Sequence, residues 1–334
     1  MSPISAKESS VFAPLVPFRV EPRYVARVWG YSDLHPWYDC TAHDQPIGEV
    51  WLTGDDCLVG SGPHAGKTLG SLFEQHAQAL LGPAVTASGS ASGSPLLIKV
   101  IFARQKLSVQ VHPDDALARF AGQPRGKTEC WYALAAEPGA QVALGLKPGV
   151  TLDQVRKGIH QGTLEQSLAL LPVHAGDMFL VDAGTVHAIW PGSILLETQQ
   201  NSDITYRIFD YGRPRELHIA QALQAIRTVT RAGKVAPLQL QDRTVLVNED
   251  YFAVERIAVA TSRSSSTLPG PGEAIPGLSY LFAAAGAGRI TSAAFAPVEL
   301  PTRGIVAIPA SSPVFAIQDM GGLGLIRISP RWPA

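Results

Sequence analysis

Four side chains have the types and spacing needed to hold a single metal ion: Gln110, His112, Glu129 and His187. In the string SVQVH polar and apolar residues alternate, and alternation in a β-strand places Gln110 and His112 on one face. Two imidazoles, one carboxylate and one amide oxygen form a mixed set of nitrogen and oxygen ligands. Zinc suits this set and leaves an open position for water or substrate, although iron and manganese accept the same ligand types.

The segment that ends in His187 resembles the second cupin motif. In that motif Gly, five residues, Pro, one residue, Gly and two residues precede the histidine. Here Gly176 and Gly184 occupy the glycine positions, and Asp182 stands where Pro is usual. The first cupin motif normally supplies two histidines and then a glutamate, and Gln110 replaces one of those histidines. The pattern predicts a strand, a tight turn at Gly184 and a second strand that begins at His187.

Short strands are expected to position these ligands. The chain contains 31 Gly and 26 Pro residues scattered between short apolar runs, which is typical of many strands joined by turns. Six runs are predicted strands: Leu107–Val111, Met178–Val181, Ile194–Thr198, Ile204–Phe209, Tyr251–Ala258 and Leu278–Ala283. Residues 82–95 and 262–277, rich in small residues, are predicted surface loops.

Helices are fewer and short. A helix is predicted over Ser71–Leu81, where Ser71 and Glu74 form a capping-box pattern. Two more are predicted to begin at Thr151 and Thr163, and a fourth at about Leu217. All-β barrels with inserted helices are therefore the predicted architecture.

Composition excludes several classes of partner. Lys plus Arg number 27 and Asp plus Glu 28, and nucleic-acid or anionic-membrane binding would leave a basic excess. Three scattered cysteines predict no disulfide framework. The beginning of the sequence lacks the pattern of a signal peptide, and no run reaches the 18 or so apolar residues of a membrane span. A cytoplasmic protein is expected.

Four stretches together resemble the type I mannose-6-phosphate isomerases, particularly the shorter bacterial form. They are Pro95–Leu117, Gly126–Leu134, Gly176–Ile189 and Leu195–Ala222, and they contain the strings QVHPDD, GKTECWY and QQNSD. The resemblance implies interconversion of mannose 6-phosphate and fructose 6-phosphate through an enediol or enediolate. It also implies one zinc ion per chain and a mainly β fold with two cupin-like jelly-roll barrels and a small helical insertion.

The predicted domains follow from this likeness. Residues 1–150 and 171–215 would form the catalytic barrel with its N-terminal strands. Residues 151–170 would be the helical insertion, and residues 216–334 the second cupin-like domain. The expected partner is a small hexose phosphate, and the chain is expected to be a monomer or a homodimer.

The resemblance carries the metal ligands onto the four residues named first, and two catalytic residues onto Arg207 and Glu197. Arg207 is permanently protonated and can hold the enediolate oxygens or the phosphate. Glu197 is the preferred proton-transfer group, and burial among apolar neighbours is expected to raise its pKa. Asp203 and metal-bound water are the other candidates for the base. Trp190, where smaller residues are commoner, is expected to narrow the pocket.

Phosphate requires basic and hydroxyl donors. Ser108 shares the strand face of the metal ligands, and Lys127 precedes Glu129 by two residues. Arg213 follows Arg207 by six residues. These three are the predicted phosphate-binding residues.

Two other functions fit parts of the pattern. A metal-dependent cupin oxygenase needs two histidines and one carboxylate, which His112, Glu129 and His187 supply. A non-catalytic sugar-phosphate-binding cupin needs no turnover at all. Gln110 and the phosphate candidates argue against the first alternative, and the full ligand set with Arg207 argues against the second.

Overall fold

The computed structural model describes residues 15–41, 44–82, 93–259 and 277–332, together with the backbone of 262–264. Most of the two predicted surface loops and the beginning of the chain lie outside these residues. In the described residues no helix is long and apolar enough to cross a membrane.

Strands outnumber helices along the chain, as the sequence predicts. The helices are α1 (Leu69–Leu81), α2 (Asp115–Phe120), α3 (Leu152–Gln161), a 3-10 helix (Leu164–Ser167) and α4 (Ile219–Ala225). The strands are β1 (Phe18–Val20), β2 (Arg23–Tyr31), β3 (Ile47–Trp51), β4 (Leu96–Ala103), β5 (Val109–Val111), β6 (Glu129–Ala136), β7 (Gln141–Leu146), β8 (Leu168–Pro172), β9 (Met178–Val181), β10 (His187–Ile189), β11 (Ser193–Gln200), β12 (Tyr206–Phe209), β13 (Gly233–Lys234), β14 (Leu238–Gln239), β15 (Arg243–Asn248), β16 (Phe252–Ile257), β17 (Ser262–Ser264), β18 (Ser279–Ala285), β19 (Gly288–Thr291), β20 (Val298–Leu300), β21 (Ile305–Ile308), β22 (Ala316–Asp319) and β23 (Gly324–Pro330).

The described strands form four antiparallel sheets. In the N-terminal two thirds a seven-stranded sheet has the order β13-β9-β6-β11-β4-β3-β2, and a five-stranded sheet has the order β12-β5-β10-β7-β8. A second seven-stranded sheet has the order β1-β21-β18-β23-β16-β15-β14, and a four-stranded sheet has the order β17-β22-β19-β20. The predicted mainly β fold class is confirmed.

Apolar side chains fill the space between the first two sheets. Ile101, Trp131 and Leu195 from the seven-stranded sheet pack in one buried cluster with Leu144 and Ile189 from the five-stranded sheet. Such interleaving of inward-facing residues is what joins two sheets into one core. The polar residues described below share this interior, so their burial follows from the packing of the two sheets.

Of the capping residues predicted from the sequence, one is confirmed at α3 and one is wrong at α1. Thr151 caps α3 as predicted, because its side chain accepts from the Gln154 backbone while the Gln154 side chain accepts from the Thr151 N–H. The predicted cap at Ser71 is wrong. Thr68 caps α1 instead by accepting from the Ser71 N–H at 3.2 Å, since Leu69 is buried and the helix extends to include it.

Candidate active site

Three buried side chains from the two facing sheets converge on one point. His112 follows β5, His187 begins β10 and Glu129 begins β6, and their ligand atoms all lie within 4.8 Å of one another. His112 Nε2 is 3.5 Å from Glu129 Oε2, and His187 Nε2 is 3.4 Å from Glu129 Oε1. This arrangement brings together two nitrogen donors and one carboxylate, which are the donors that zinc accepts.

Main-chain carbonyls fix the orientation of both imidazoles. His112 Nδ1 is 2.9 Å from the Ile204 carbonyl, and His187 Nδ1 is 2.9 Å from the Thr185 carbonyl. A carbonyl can only accept, so each Nδ1 carries the hydrogen and each Nε2 presents a lone pair to the cluster. Burial lowers the pKa of His187 to about 4, and burial together with the charge of Lys127 lowers the pKa of His112. Both rings are therefore neutral near pH 7, which is the form that binds metals.

Glu129 completes the cluster from the opposite sheet. Its side chain is fully buried, and neither carboxylate oxygen has a hydrogen-bond partner within the described residues. Burial and the nearby carboxylate of Glu197 raise the pKa of Glu129 well above its ordinary value. A divalent cation between the imidazoles would supply the positive charge that favours the ionised carboxylate, so the donor set fits a metal ion.

Gln110 lies against both histidines, as the strand alternation predicts. Its Nε2 atom is 3.1 Å from His187 Nε2 and 3.4 Å from His112 Nε2, while its Oε1 atom accepts from the Ser108 hydroxyl at 3.2 Å. Antiparallel pairing of β5 with β10 sets Gln110 opposite His187. Coordination through the amide oxygen requires the amide to turn over, a rotation that leaves the rest of the side chain in place.

The turn before His187 is built from the residues of the cupin-like segment. Gly184 has φ of +89°, a conformation that favours glycine, and its N–H donates to the His112 carbonyl at 2.8 Å. Asp182 accepts from the Thr185 hydroxyl at 3.0 Å. The aspartate thus stabilises the turn at the position where Pro is usual, and the turn ties the two histidine segments together.

A cleft of about 530 Å³ opens beside the cluster. Apolar side chains such as Trp29, Trp131 and Ile189 form part of its wall. Most of the remaining wall is polar or charged: Arg27, Gln45, Glu49, Lys99, Ser108, Gln110, Lys127, His187, Glu197, Asp203, Thr205, Arg207, Arg215 and His218. A concave wall with this many polar and charged groups suits a polar, charged small molecule better than an apolar one.

A buried ion network crosses one wall of the cleft. Lys99 Nζ is 2.7 Å from Glu197 Oε2 and 3.4 Å from Glu49 Oε1, and Trp131 Nε1 donates to Glu197 Oε1 at 3.0 Å. Burial works to lower the pKa of Lys99, but the carboxylates of Glu197 and Glu49 outweigh it and raise that pKa. The lysine is therefore charged in the interior, where it contacts two acids, and Arg27 supplies a second positive charge at Glu49.

The pKa expected for Glu197 is wrong. Burial does act to raise it, but Lys99 and Lys127 outweigh burial and lower the pKa of Glu197 to about 2. The apolar neighbours in the sequence predict the burial correctly, whereas the lysines come from strands that are distant in sequence. Glu197 is ionised near neutral pH.

The other predicted site residues fall in two places. Ser108, Lys127 and Arg207 line the cleft. Arg213 is absent from the cleft lining, because its guanidinium donates to the carbonyls of Asp210 and Lys106 at 3.1 and 2.8 Å.

Trp190 does not narrow the cleft as expected. It is not among the lining residues, and its ring lies under Lys106, whose Nζ is 4.1 Å from the ring centroid. The Lys106 ammonium also contacts Glu165 of the 3-10 helix at 2.8 Å. The tryptophan therefore packs on the outer side of the five-stranded sheet.

Several residues in the cleft are not among those predicted from the sequence to act there: Arg27, Glu49, Lys99, Arg215 and His218. For Lys99 a signal exists, since it is the one charge in the apolar run LLIKVIFA, and a buried charge needs partners. For Arg215 and His218 no local signal separates them from surface residues of the same loop.

Comparisons with known proteins agree with this geometry. Residues 18–145 match the family model of the phosphomannose isomerase type I catalytic domain. A mannose-6-phosphate isomerase of Streptococcus mutans is 34% identical over 282 residues, which cover 79% of this chain and 84% of that protein.

Solved structures show the same fold. The crystal structure of the mannose 6-phosphate isomerase from Bacillus subtilis matches with a TM-score of 0.80 and 27% identity, over 94% of this chain and 99% of that one. A mannose 6-phosphate isomerase bound with zinc and yttrium matches with a TM-score of 0.72 over 95% of this chain and 100% of that one. At 16% identity the second likeness is one of fold alone.

Proposed function

The chain belongs to the type I phosphomannose isomerase family, and on that premise we propose that it interconverts mannose 6-phosphate and fructose 6-phosphate. The observation that carries the proposal is the buried cluster of His112, Glu129 and His187 beside a charged cleft. An aldose–ketose isomerisation moves a proton between C1 and C2 and shifts negative charge between two neighbouring oxygens. Such a reaction needs fixed positive charge and a proton carrier, and the cleft offers both.

We propose one zinc ion per chain, held by His112, Glu129, His187 and the amide oxygen of Gln110. The Glu129 carboxylate, which has no hydrogen bond within the described residues, and the two Nε2 lone pairs support this assignment. When bound, zinc polarises the sugar oxygens and stabilises the charge that develops on the enediolate.

Arg207 is proposed to bind the developing enediolate or the phosphate. It lies opposite Gln110 in the pairing of β12 with β5, so its strand position adjoins the metal ligands. Its Nη1 donates to the Glu216 carbonyl at 2.8 Å, and its Nε is buried without a hydrogen-bond partner in the described residues. A guanidinium fixed on one side and free on another can orient an anionic oxygen.

Glu197 is proposed to take part in proton transfer. With a pKa of about 2 it accepts a proton only transiently near neutral pH. Lys99 lies 2.7 Å away and can stabilise the ionised carboxylate after each transfer. Asp203, which also lines the cleft, is the other carboxylate proposed for the proton transfer.

Ser108, Lys127 and Arg213 remain the phosphate-binding residues predicted from the sequence. Ser108 and Lys127 lie on the cleft wall, and Lys127 Nζ is 3.7 Å from Glu129 Oε2. Arg213 contributes positive charge from the loop that follows β12.

We propose a cupin-like catalytic barrel of residues 1–150 and 171–215, a helical insertion of residues 151–170 and a second cupin-like jelly-roll barrel of residues 216–334. Most strands of the first two sheets lie in the first range and most strands of the other two sheets lie in the last, which supports this division. Strand β1 pairs with β21 and β13 pairs with β9, so each part contributes one strand to a sheet of the other. A cytoplasmic location and a monomeric or homodimeric state stay predictions.

The decisive experiment is an isomerase assay on the purified chain with mannose 6-phosphate as substrate. We expect fructose 6-phosphate to form, activity to disappear after chelation and dialysis, and activity to return when zinc is added. Activity that persists in metal-free protein would contradict the metal-dependent mechanism. Oxygen consumption in the same sample would instead favour the oxygenase alternative.

A single substitution tests the metal site while the fold is expected to stay intact. Glu129→Gln keeps the size of the side chain but removes the charge that a cation needs. We expect zinc stoichiometry to fall from about one to near zero after dialysis, with the circular dichroism spectrum unchanged. His174→Gln, at an exposed histidine, is the matched control and should retain its zinc.

A further inference from the structure

A second pair of histidines lies outside the cleft. His64 is in the turn that precedes α1, and His76 is within α1. Their ring centroids are 4.8 Å apart, and the ring planes are tilted by 57°. Neither residue lines the cleft, so the isomerase chemistry proposed above makes no use of this pair.

The geometry of this pair matches that of the two histidines in the candidate active site. The ring centroids of His112 and His187 are also 4.8 Å apart, and their planes are tilted by 52°. A zinc ion lies about 2.0–2.1 Å from each imidazole nitrogen, so two rings that share one ion must bring their nitrogens to within about 3–4 Å of each other. Tilted rings at this separation can do so. His64 and His76 therefore have the spacing that a shared ion requires.

Local hydrogen bonds hold the two segments in place. In the turn, the Lys67 N–H donates to the His64 carbonyl at 3.1 Å, and the Gly66 N–H donates to the Val59 carbonyl at 2.8 Å. Lys67 Nζ also donates to Gln75 Oε1 at 3.3 Å, which joins the turn to the helix beside the ring pair. Because the fold already brings the rings together, binding an ion requires little further ordering of the chain.

His64 has a nitrogen that the protein leaves unused. Its Nδ1 atom is enclosed and has no hydrogen-bond partner within the described residues. A buried polar atom without a partner costs free energy, and a metal ion would provide that partner. Burial and the neighbouring His76 and Lys67 lower the pKa of His64. The ring is therefore neutral near pH 7, which is the form that binds metals.

The charges around the pair select the class of ion. Across the part of the chain that the structure describes, no cysteine or carboxylate joins the two rings closely enough to make a group of three. Magnesium and calcium require oxygen ligands, so they do not suit a pair of imidazoles beside a lysine. Copper, nickel and zinc accept imidazole nitrogens, and copper(II) binds most tightly in this series.

We propose that His64 and His76 form a second metal site, which binds a divalent transition-metal ion, copper(II) most tightly and nickel or zinc more weakly. With two protein ligands, the site is weaker than the candidate catalytic site and fills only when metal is in excess. A bound ion would link the turn to α1. The end of α1 is tied in turn to the C-terminal part of the chain, because the Ala79 carbonyl accepts from the Ser311 N–H at 2.9 Å.

The test is a copper(II) titration of the metal-free full chain, followed by calorimetry and electron paramagnetic resonance. We expect two classes of bound copper in the wild type, a tight one at the candidate catalytic cluster and a weaker one at the histidine pair. His64→Gln and His76→Gln should each raise the dissociation constant of the weaker class at least about tenfold, because one of its two protein ligands is lost. The tight class and the isomerase activity at one equivalent of zinc should not change.

His174→Gln, at an exposed histidine, is the matched control and should keep both classes. A weaker class that survives in both variants of the pair would overturn the proposal, because the two rings would then contact each other by packing alone. A loss in only one of those variants, or an equal loss in the control, would also overturn it, because copper would then bind single imidazoles. Circular dichroism checks that each variant is folded.

A thermal measurement tests the site without any activity assay. Nickel is added in excess to the zinc-loaded wild type and to His64→Gln. We expect Tm of the wild type to rise by about 4–8 °C when nickel is about 100-fold above its dissociation constant, because an ion that binds only the folded chain stabilises it. His64→Gln should show a clearly smaller rise. An equal rise in both proteins would refute the site, whether or not the chain proves to be an isomerase.

Discussion

His112 and His187 each donate their Nδ1 hydrogen to a main-chain carbonyl, so each ring is committed to one tautomer before any ligand arrives. Burying a neutral imidazole lowers the stability of the folded protein in acid. In the unfolded chain a histidine titrates near 6.5, whereas burial lowers the pKa of His187 in the folded chain to about 4. Between these values the unfolded chain binds more protons, so the free energy of unfolding falls as the pH falls.

For metal-free protein we therefore expect His187 alone to lower the free energy of unfolding by about 2 kcal/mol between about pH 7 and about pH 5. Urea unfolding at the two pH values measures this change. His187→Gln should lose most of that contribution, whereas His174→Gln, at an exposed ring, should keep it. A wild-type stability that does not change across the range would mean that the buried ring accepts its proton without unfolding.

At the residue scale, the clustering of the candidate ligands can be predicted from the sequence, whereas the pKa values of the side chains around them cannot. Gln110 and His112 share a strand face, and the structure brings both to His187, because alternation along a strand depends only on local geometry. The pKa of Glu197 depends on Lys99, a residue nearly a hundred positions away that becomes its direct neighbour in the pairing of β11 with β4. No local pattern carries that information.

Helix α3 has a strong capping signal in its sequence, although the helix does not line the candidate active site. Thr151 and Gln154 satisfy each other's backbone groups at its first turn. We expect Thr151→Ala to lower the free energy of unfolding by about 1 kcal/mol and to leave kcat/KM unchanged, because the cap acts only on the helix. Denaturant unfolding and the isomerase assay measure the two quantities.

Thr163→Ala is the control for this prediction. Thr163 precedes the 3-10 helix but makes no side-chain capping bond, so its replacement should cost clearly less than that of Thr151. Equal losses in both variants would show that the capping box contributes nothing beyond the loss of a threonine side chain.

At the element scale, capping residues and the alternation of polar and apolar residues predict whether a segment is a helix or a strand better than they predict where it begins and ends. The predicted strand Met178–Val181 is confirmed at both ends, since apolar residues fill it and turns flank it. The strand predicted from Ile204 begins only at Tyr206. The helix predicted from Thr163 is a single 3-10 turn, because only four residues lie between Thr163 and the start of β8 at Leu168. Helix α2, which begins after the Asp114 cap, is not among the predicted helices.

At the scale of the whole molecule, Asp115 links the C-terminal strands to the segment that bears Lys127. Asp115 Oδ1 accepts from the Gly126 N–H at 2.7 Å and from Gln200 Nε2 at 2.9 Å, and its Oδ2 accepts from the Tyr251 hydroxyl at 3.1 Å. Tyr251 precedes β16 of the second seven-stranded sheet. Gly126 is followed by Lys127, so this aspartate joins the position of a cleft lysine to the distant part of the chain.

We expect Tyr251→Phe to lower the free energy of unfolding by about 1–2 kcal/mol, because a hydrogen bond to a carboxylate is lost. A modest rise in KM, about two- to fivefold, should accompany it as the loop that bears Lys127 loosens. Chemical denaturation and steady-state kinetics provide the measurements. Tyr24→Phe, at a tyrosine on β2 that is 38% exposed, is the control; a variant at Tyr251 that matches this control would show that the link has no influence on the cleft.

The pairing of β11 with its two neighbours has a consequence for how such a chain can vary in length. Glu197 lies opposite Lys99 on one side and Trp131 on the other, in the middle of the sheet. Because side chains alternate, an inserted or deleted residue near the start of β11 would turn the glutamate away from both partners and expose apolar residues in its place. We therefore expect the chain to tolerate insertions and deletions in the connections between strands but not within β4, β6 or β11, whose register sets these contacts.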